Sequence, residues 1–109
     1  MTEAEIDAHC LACPGATKVV QWADARVYKV GEKVFAILPR SADRITLKCP
    51  DPEMAAFLIE IGAATRAPHL PRGGWVSLPV TETGDLAARL TQSYDTVRAS
   101  LPKRVRGSL

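Results

Sequence analysis

His9-Cys10-Leu11-Ala12-Cys13 sets a histidine beside a Cys-x-x-Cys pair. That spacing can hold zinc or run thiol–disulfide exchange. Both chemistries make demands on their surroundings. A reactive thiol needs a lowered pKa, supplied by a helix N-terminus or a nearby cation. Here Thr2-Glu3-Ala4-Glu5 reads as a capping box that starts a helix, and Pro14-Gly15 stops it. The cysteines therefore stand at the negative end of the helix dipole, with Glu5 and Asp7 on the same helix, and both influences disfavour a thiolate. A structural zinc site needs four ligands, and the other soft candidates, Cys49 and His69, are isolated in the sequence. Cys10 follows Ile6 by one turn and Cys13 follows at i+3, so the three share a face. The pair reads as apolar packing, with no metal, cofactor or catalytic role expected.

A second stretch, Ala67 to Val76, reads APHLPRGGWV. Its prolines and glycines shape a loop that feeds a strand beginning at Trp75. His69, Arg72 and Trp75 bring together a donor, a cation and a flat ring, which suits a phosphate or a base. The plainer alternative is a rigid connection with Trp75 packed and Arg72 solvated. Further cations lie at Lys29, Lys33, Arg44 and Lys48, and the chain ends in the basic run Lys103-Arg104-Val105-Arg106. These could meet phosphates; they could equally keep a sheet face solvated and a helix end electrostatically satisfied. The sequence has no Gly-x-Ser-x-Gly, no P-loop and no His-Glu-x-x-His, so no enzyme is expected.

The elements that position these residues must come from 109 residues, room for one domain, expected to span 1–109. Apolar content of 47% and charged content of 24% match an ordinary globule, so a core can form without staples. No apolar run approaches a membrane span, and the acidic start is unlike a signal peptide, so a cytoplasmic protein with reduced thiols is expected. The net charge of +2 is unevenly spread. Residues 1–25 are acidic on balance, while 26–49 and 95–109 are basic, a layout that permits an anionic partner.

Residues 18–49 change to a strand pattern. KVVQW, RVYKV, KVFAIL and RITLKC are β-rich segments; Ala23-Asp24-Ala25 and Gly31-Glu32 read as turns. Ile45, Leu47 and Cys49 alternate with Arg44, Thr46 and Lys48, the mark of a sheet with one buried and one wet face. Asp51-Pro52-Glu53 opens a helix whose stripe is Met54, Phe57, Leu58 and Ile61. Residues 63–74 look irregular. Trp75 to Val80 is a fifth strand, with Pro79 placing it at an edge or ending it early. A last helix from Thr83 or Asp85 to Ser100 carries Leu86, Leu90, Tyr94, Val97 and Leu101 on one stripe, and leaves a basic tail. The order predicts an α+β two-layer sandwich: a mainly antiparallel sheet of about five strands with helices on one face.

Taken together, the segments LACPGAT at 11–17 with VVQW, VYKVGEKVFAIL at 27–38, ITLKCPDPE at 45–53, APHLPRGGWVSL at 67–78 and SYDTVRASLPKRVR at 93–106 resemble the YjbR/MmcQ family of small bacterial proteins. The resemblance implies a two-layer fold similar to bacterial frataxin (CyaY-like), and a DNA-binding label without an enzyme activity. By position it places Lys29, Lys33 and Lys48 on the sheet, Arg72 and Trp75 in the loop–strand motif, and Lys103 and Arg104 after the last helix; with Arg44 from the wet sheet face, these are the expected nucleic-acid contacts. The chain departs from the family in two places. Many relatives have an apolar residue where Cys13 stands, which further weakens a redox pair. Many also carry a lysine-containing segment ending in His-Trp, where this chain has Pro-Arg-Gly-Gly-Trp. The expected function is weak electrostatic DNA binding through a basic sheet face and tail. The alternatives are a protein-interaction or small-ligand module and, less well supported, a frataxin-like iron protein.

Overall fold

A computed structural model of the chain describes residues 1–68, 70, 73–81 and 85–109. The first helix, α1 (Glu3–Leu11), starts on the capping box: Glu5 N donates to Thr2 Oγ1 and Thr2 N to Glu5 Oε1. Four strands follow: β1 (Ala16–Gln21), β2 (Ala25–Val30), β3 (Lys33–Leu38) and β4 (Arg44–Lys48). Next come α2 (Pro52–Glu60), β5 (Thr65–Arg66), β6 (Trp75–Pro79), α3 (Leu86–Ala99) and the short α4 (Lys103–Arg106). One antiparallel sheet takes the order β1-β2-β3-β4-β6-β5.

One face of the sheet carries the core. Tyr28, Ala36, Leu38, Ile45, Leu47, Val76 and Leu78 pack there against Ile6 and Cys10 of α1, and against Leu86, Leu90, Tyr94 and Val97 of α3. The predicted α3 stripe is buried along its whole length, Leu101 included. Alternation places Arg44, Thr46 and Lys48 on the opposite face, with Trp75 and Ser77 beside them in register. The helix side is arranged as the alternation of RITLKC requires, but the opposite face is not wet at its centre: Val27, Thr46 and Ser77 are buried there, and Arg44 and Lys48 are only half-exposed.

Four expectations are corrected. The sheet has six strands: Thr65 and Arg66, inside the stretch that looked irregular, pair with Ser77 and Val76. Two residues are too short a run to carry a period. The α2 stripe is rotated, with Ala55 and Leu58 buried while Phe57 and Ile61 are each 57% exposed. The helix packs at the β6–β5 end of the sheet, where a narrow contact suits small Ala55 better than Phe57. The first hairpin turns at Trp22-Ala23-Asp24, all three with positive φ, one residue earlier than Ala23-Asp24-Ala25. Finally, the basic tail is no loose extension. It folds into α4 and packs Val105 against the core. Pro79 ends β6 early; the strand itself lies between β4 and β5.

Candidate functional site

Strand composition sets the electrostatics. Among the described residues, Lys18, Arg26, Lys29, Lys33, Arg44, Lys48 and Arg66 lie in strands, and no strand carries a carboxylate. Two of these cations are neutralised from α1. Lys18 Nζ sits 2.8 Å from Asp7 Oδ1, and Arg26 pairs with Glu3 while donating to Pro39 O at 3.2 Å. Asp7 also accepts from Tyr28 Oη at 2.8 Å. The Lys18 hydrogen bond, helped by Tyr28, holds the Asp7 carboxyl below its ordinary range, and burial with the Asp7 contact pushes the Tyr28 phenol up.

Register sorts the remaining cations to the two ends of the sheet. Lys48 is opposite Trp75, and Lys33 is opposite Val30 beside the Gly31 turn, so these residues share the end at which β3 begins. Lys29 belongs to the same hairpin, on its open-face side. Lys33 instead turns to the helix side, where its Nζ reaches Ser100 Oγ at 3.3 Å. There it meets α4, because Leu101 and Val105 pack directly over Gly31. Lys103 and Arg104 are exposed on that short helix. These residues share one end of the sheet but not one face, with Glu32 in the turn between Lys29 and Lys33: Lys29, Lys48 and Trp75 lie on the side away from the helices, while Lys33, Lys103 and Arg104 lie beside the C-terminus of α3. Its dipole favours cations, which explains part of the gathering without a ligand.

Arg44 stands apart. It is opposite Pro79, at the far end of β4, and two of its three nitrogens are committed. Nε donates to Ser77 Oγ at 2.9 Å, and Nη2 to Ser77 O at 2.9 Å and Thr65 Oγ1 at 3.1 Å. It clamps β4, β6 and β5 together. His69 and Arg72 lie outside the described residues.

Trp75 is half-buried, with the Lys48 ammonium 5.9 Å from its ring centroid, within cation–π range. Beside it opens a cleft of about 570 Å³ between α2 and the start of β6, lined by Ala55, Ala56, Ile59, Glu60, Arg66, Leu70 and the Gly73-Gly74 pair. Sequence reasoning placed Trp75 and missed the rest: Ala56, Ile59 and Arg66 reach the cleft only through α2 docking and the two-residue β5.

The cysteines have no such setting. Cys10 is fully buried and its thiol is pushed up to about 12, chiefly by burial. Cys13 is only partly buried, less than a pure packing role predicts, yet burial raises its thiol too, and its Sγ points to His9 O at 3.6 Å. Cys49 is buried and likewise raised. His9 is used between helices, with Nε2 2.8 Å from Thr91 Oγ1. Among the described residues, no group of three His, Cys, Asp or Glu side chains could hold a metal ion.

The fold and site define a small α+β protein whose described strands carry no carboxylate and whose sheet has a cation-rich end. The YjbR family model matches residues 11–96, and the chain belongs to the YjbR family. Among solved structures, it is similar to protein DR2400 of Deinococcus radiodurans, which carries a DUF419 domain. The two share 23% sequence identity and a TM-score of 0.86 over 98% of this chain and 86% of that one, a likeness of fold. Among curated proteins, none matches the chain. No helix among the described residues is long and apolar enough to cross a membrane.

Proposed function

We propose that the protein is a non-enzymatic, cytoplasmic DNA-binding protein of the YjbR type, gripping phosphates through its basic end. The observation that carries this reading is the charge of the described strands, seven cations and no carboxylate: Lys29, Lys33 and Lys48 are not tied to α1 and share one end of the sheet with Lys103 and Arg104 of α4. An excess of cations at this end, with Glu32 the acid of the turn between Lys29 and Lys33, suits a polyanion better than a cationic ligand. Arg44 contributes chiefly by holding the sheet together through Nε and Nη2.

Fluorescence anisotropy with a short DNA at low and at moderate salt tests the proposal. Binding is expected at low salt and to weaken steeply as salt rises, because phosphate contacts release counterions. Reversing charge at Lys103 and Arg104 should weaken it further and flatten the salt dependence. Absence of binding at low salt, or indifference to those reversals, rules the proposal out.

A protein-partner module is the second reading, and β1 favours it. This edge strand leaves Val19, Val20 and the neighbouring Trp22 exposed. A nuclease-resistant protein partner co-purifying with the chain would support that reading over DNA binding.

A further inference from the structure

The sheet ends in two described edge strands, and they differ in what they can accept. β5 is two residues long, whereas β1 offers six residues whose register with β2 is unbroken. An edge strand leaves a row of unpaired N–H and C=O groups along its outer side, ordinarily guarded by a proline, a bulge or a free lysine. β1 has no proline and no bulge, and its one lysine, Lys18, is held by Asp7. Apolar residues stand on both of its faces. Val20 is opposite Arg26 on the helix side and is 59% exposed. Val19 is opposite Val27 on the other side and is also exposed, and Trp22, just past the strand, is 62% exposed. The flank of α1 beside this edge is uncharged except for Asp7. Ala4 lines a shallow cleft with Asp7 and Lys18, and Leu11, one turn after Asp7, is exposed.

Charge says what can cover this border. At the cation-rich end of the sheet two copies of the chain would repel one another. Along β1 the acids cancel the cations: Asp7 holds Lys18, Glu3 holds Arg26, and Asp24 of the hairpin turn lies 3.8 Å from Arg40. A strongly charged partner finds no counter-charge left here. A neutral strand with apolar residues on both faces fits, and β1 is itself such a strand. A two-fold axis normal to the sheet would set β1 antiparallel to its copy and keep the helices of both copies on one side. The two Val20 side chains would then lie beneath the α1 flanks, and the two Val19 side chains would meet on the opposite face. With the axis at Val19, Lys18 stands opposite Val20 of the second copy; with the axis at Val20, it stands opposite Trp22. In neither register does lysine meet lysine. We propose that two copies of the chain pair through β1, continuing one six-stranded sheet into the next, with α1 against α1 of the second copy. This gives the exposed β1 edge its partner and does not depend on nucleic-acid binding, so either reading can fail without the other.

Sedimentation equilibrium of the full chain, from low-micromolar to near-millimolar concentration, should show a monomer–dimer equilibrium. Val20→Lys should weaken dimerisation by about tenfold or more, because the axis places the substituted residue in the seam twice. Phe57→Glu, which alters the exposed apolar residues of α2 at the far end of the sheet, should leave it unchanged. Hydrogen exchange on the unaltered protein gives a reading that holds even if Val20→Lys fails to fold: the outward amides of β1 should gain protection as concentration rises. A chain that stays monomeric throughout would overturn the proposal and leave the edge to a strand of another protein. A dimer whose outward β1 amides exchange freely would overturn it too, by placing the interface elsewhere.

Discussion

A single hydroxyl shows how a residue invisible to pattern reading can hold the sheet. Ser93 lies in the middle of the apolar α3 stripe, fully buried. Its Oγ donates to Phe35 O at 2.6 Å and accepts from Lys48 N at 2.8 Å. The β3–β4 register contains only Ala36–Leu47 and Ile37–Thr46; continued by one step each way along the strands, it would set Phe35 opposite Lys48. The extra residue of β3 near the Tyr28/Lys29 register shift breaks the ladder there, and Ser93 satisfies the two backbone groups left apart. Ser93→Ala should cost about 1–3 kcal/mol, because it leaves a buried N–H and C=O unpaired. Urea unfolding of the variant measures this. A loss within a few tenths of a kcal/mol would mean the strands close on each other without it. Helical periodicity predicts burial at position 93 but gives no reason for a hydroxyl, since the need arises from a bulge in another element.

Elements were legible where one physical rule governed them. Capping at Thr2 and at Asp51, whose side chain accepts from Met54 N, marked both helix starts. The Gly31-Glu32 turn follows hairpin chemistry, with φ of +55° and +70°. The Trp22-Ala23-Asp24 turn was misplaced because three non-glycine residues at positive φ carry no compositional signal. The folding of the tail was missed for a related reason: α4 is too short to show a period, and it is held by contact with the β2–β3 hairpin. Gly31 is the hinge of that contact. A Cβ there would stand 2.7 Å from Leu101 Cδ1 and 3.0 Å from Val105 Cγ1, at a φ that L side chains rarely adopt. Gly31→Ala should therefore destabilise the protein by about 1–2 kcal/mol from the backbone alone, and by more from the displaced leucine. Hydrogen exchange should locate the damage, with amides of residues 103–107 losing protection first. Uniform loss of protection across the chain would show that α4 does not detach separately.

At the scale of the whole molecule, charge is partitioned by the sheet. On the helix face, α1 supplies Asp7 and Glu3 to Lys18 and Arg26; the basic end has no such acids supplied to it from α1. The sequence showed this as an acidic first quarter and basic later segments, and the fold turns part of that asymmetry into a clasp between α1 and the β1–β2 edge. What composition could not show is which cations the clasp consumes, because that depends on register across the sheet. The clasp has a pH signature. Asp7 has a folded-state pKa held below its unfolded value, so its contribution is present above the unfolded pKa and is lost as pH falls through the folded one, a window below about pH 4. Asp7→Asn keeps acceptors for Tyr28 and Lys18 but removes the charge. The variant should be less stable than the parent at about pH 6, by an amount kept modest by partial exposure and reduced further by salt, and the gap should narrow as pH falls below about 4. Urea unfolding of both proteins across that range reads the gap directly. A gap that stays constant with pH would assign the effect of the substitution to hydrogen-bond geometry at Tyr28, and the charge of Asp7 would then have no part in fastening α1 to the sheet.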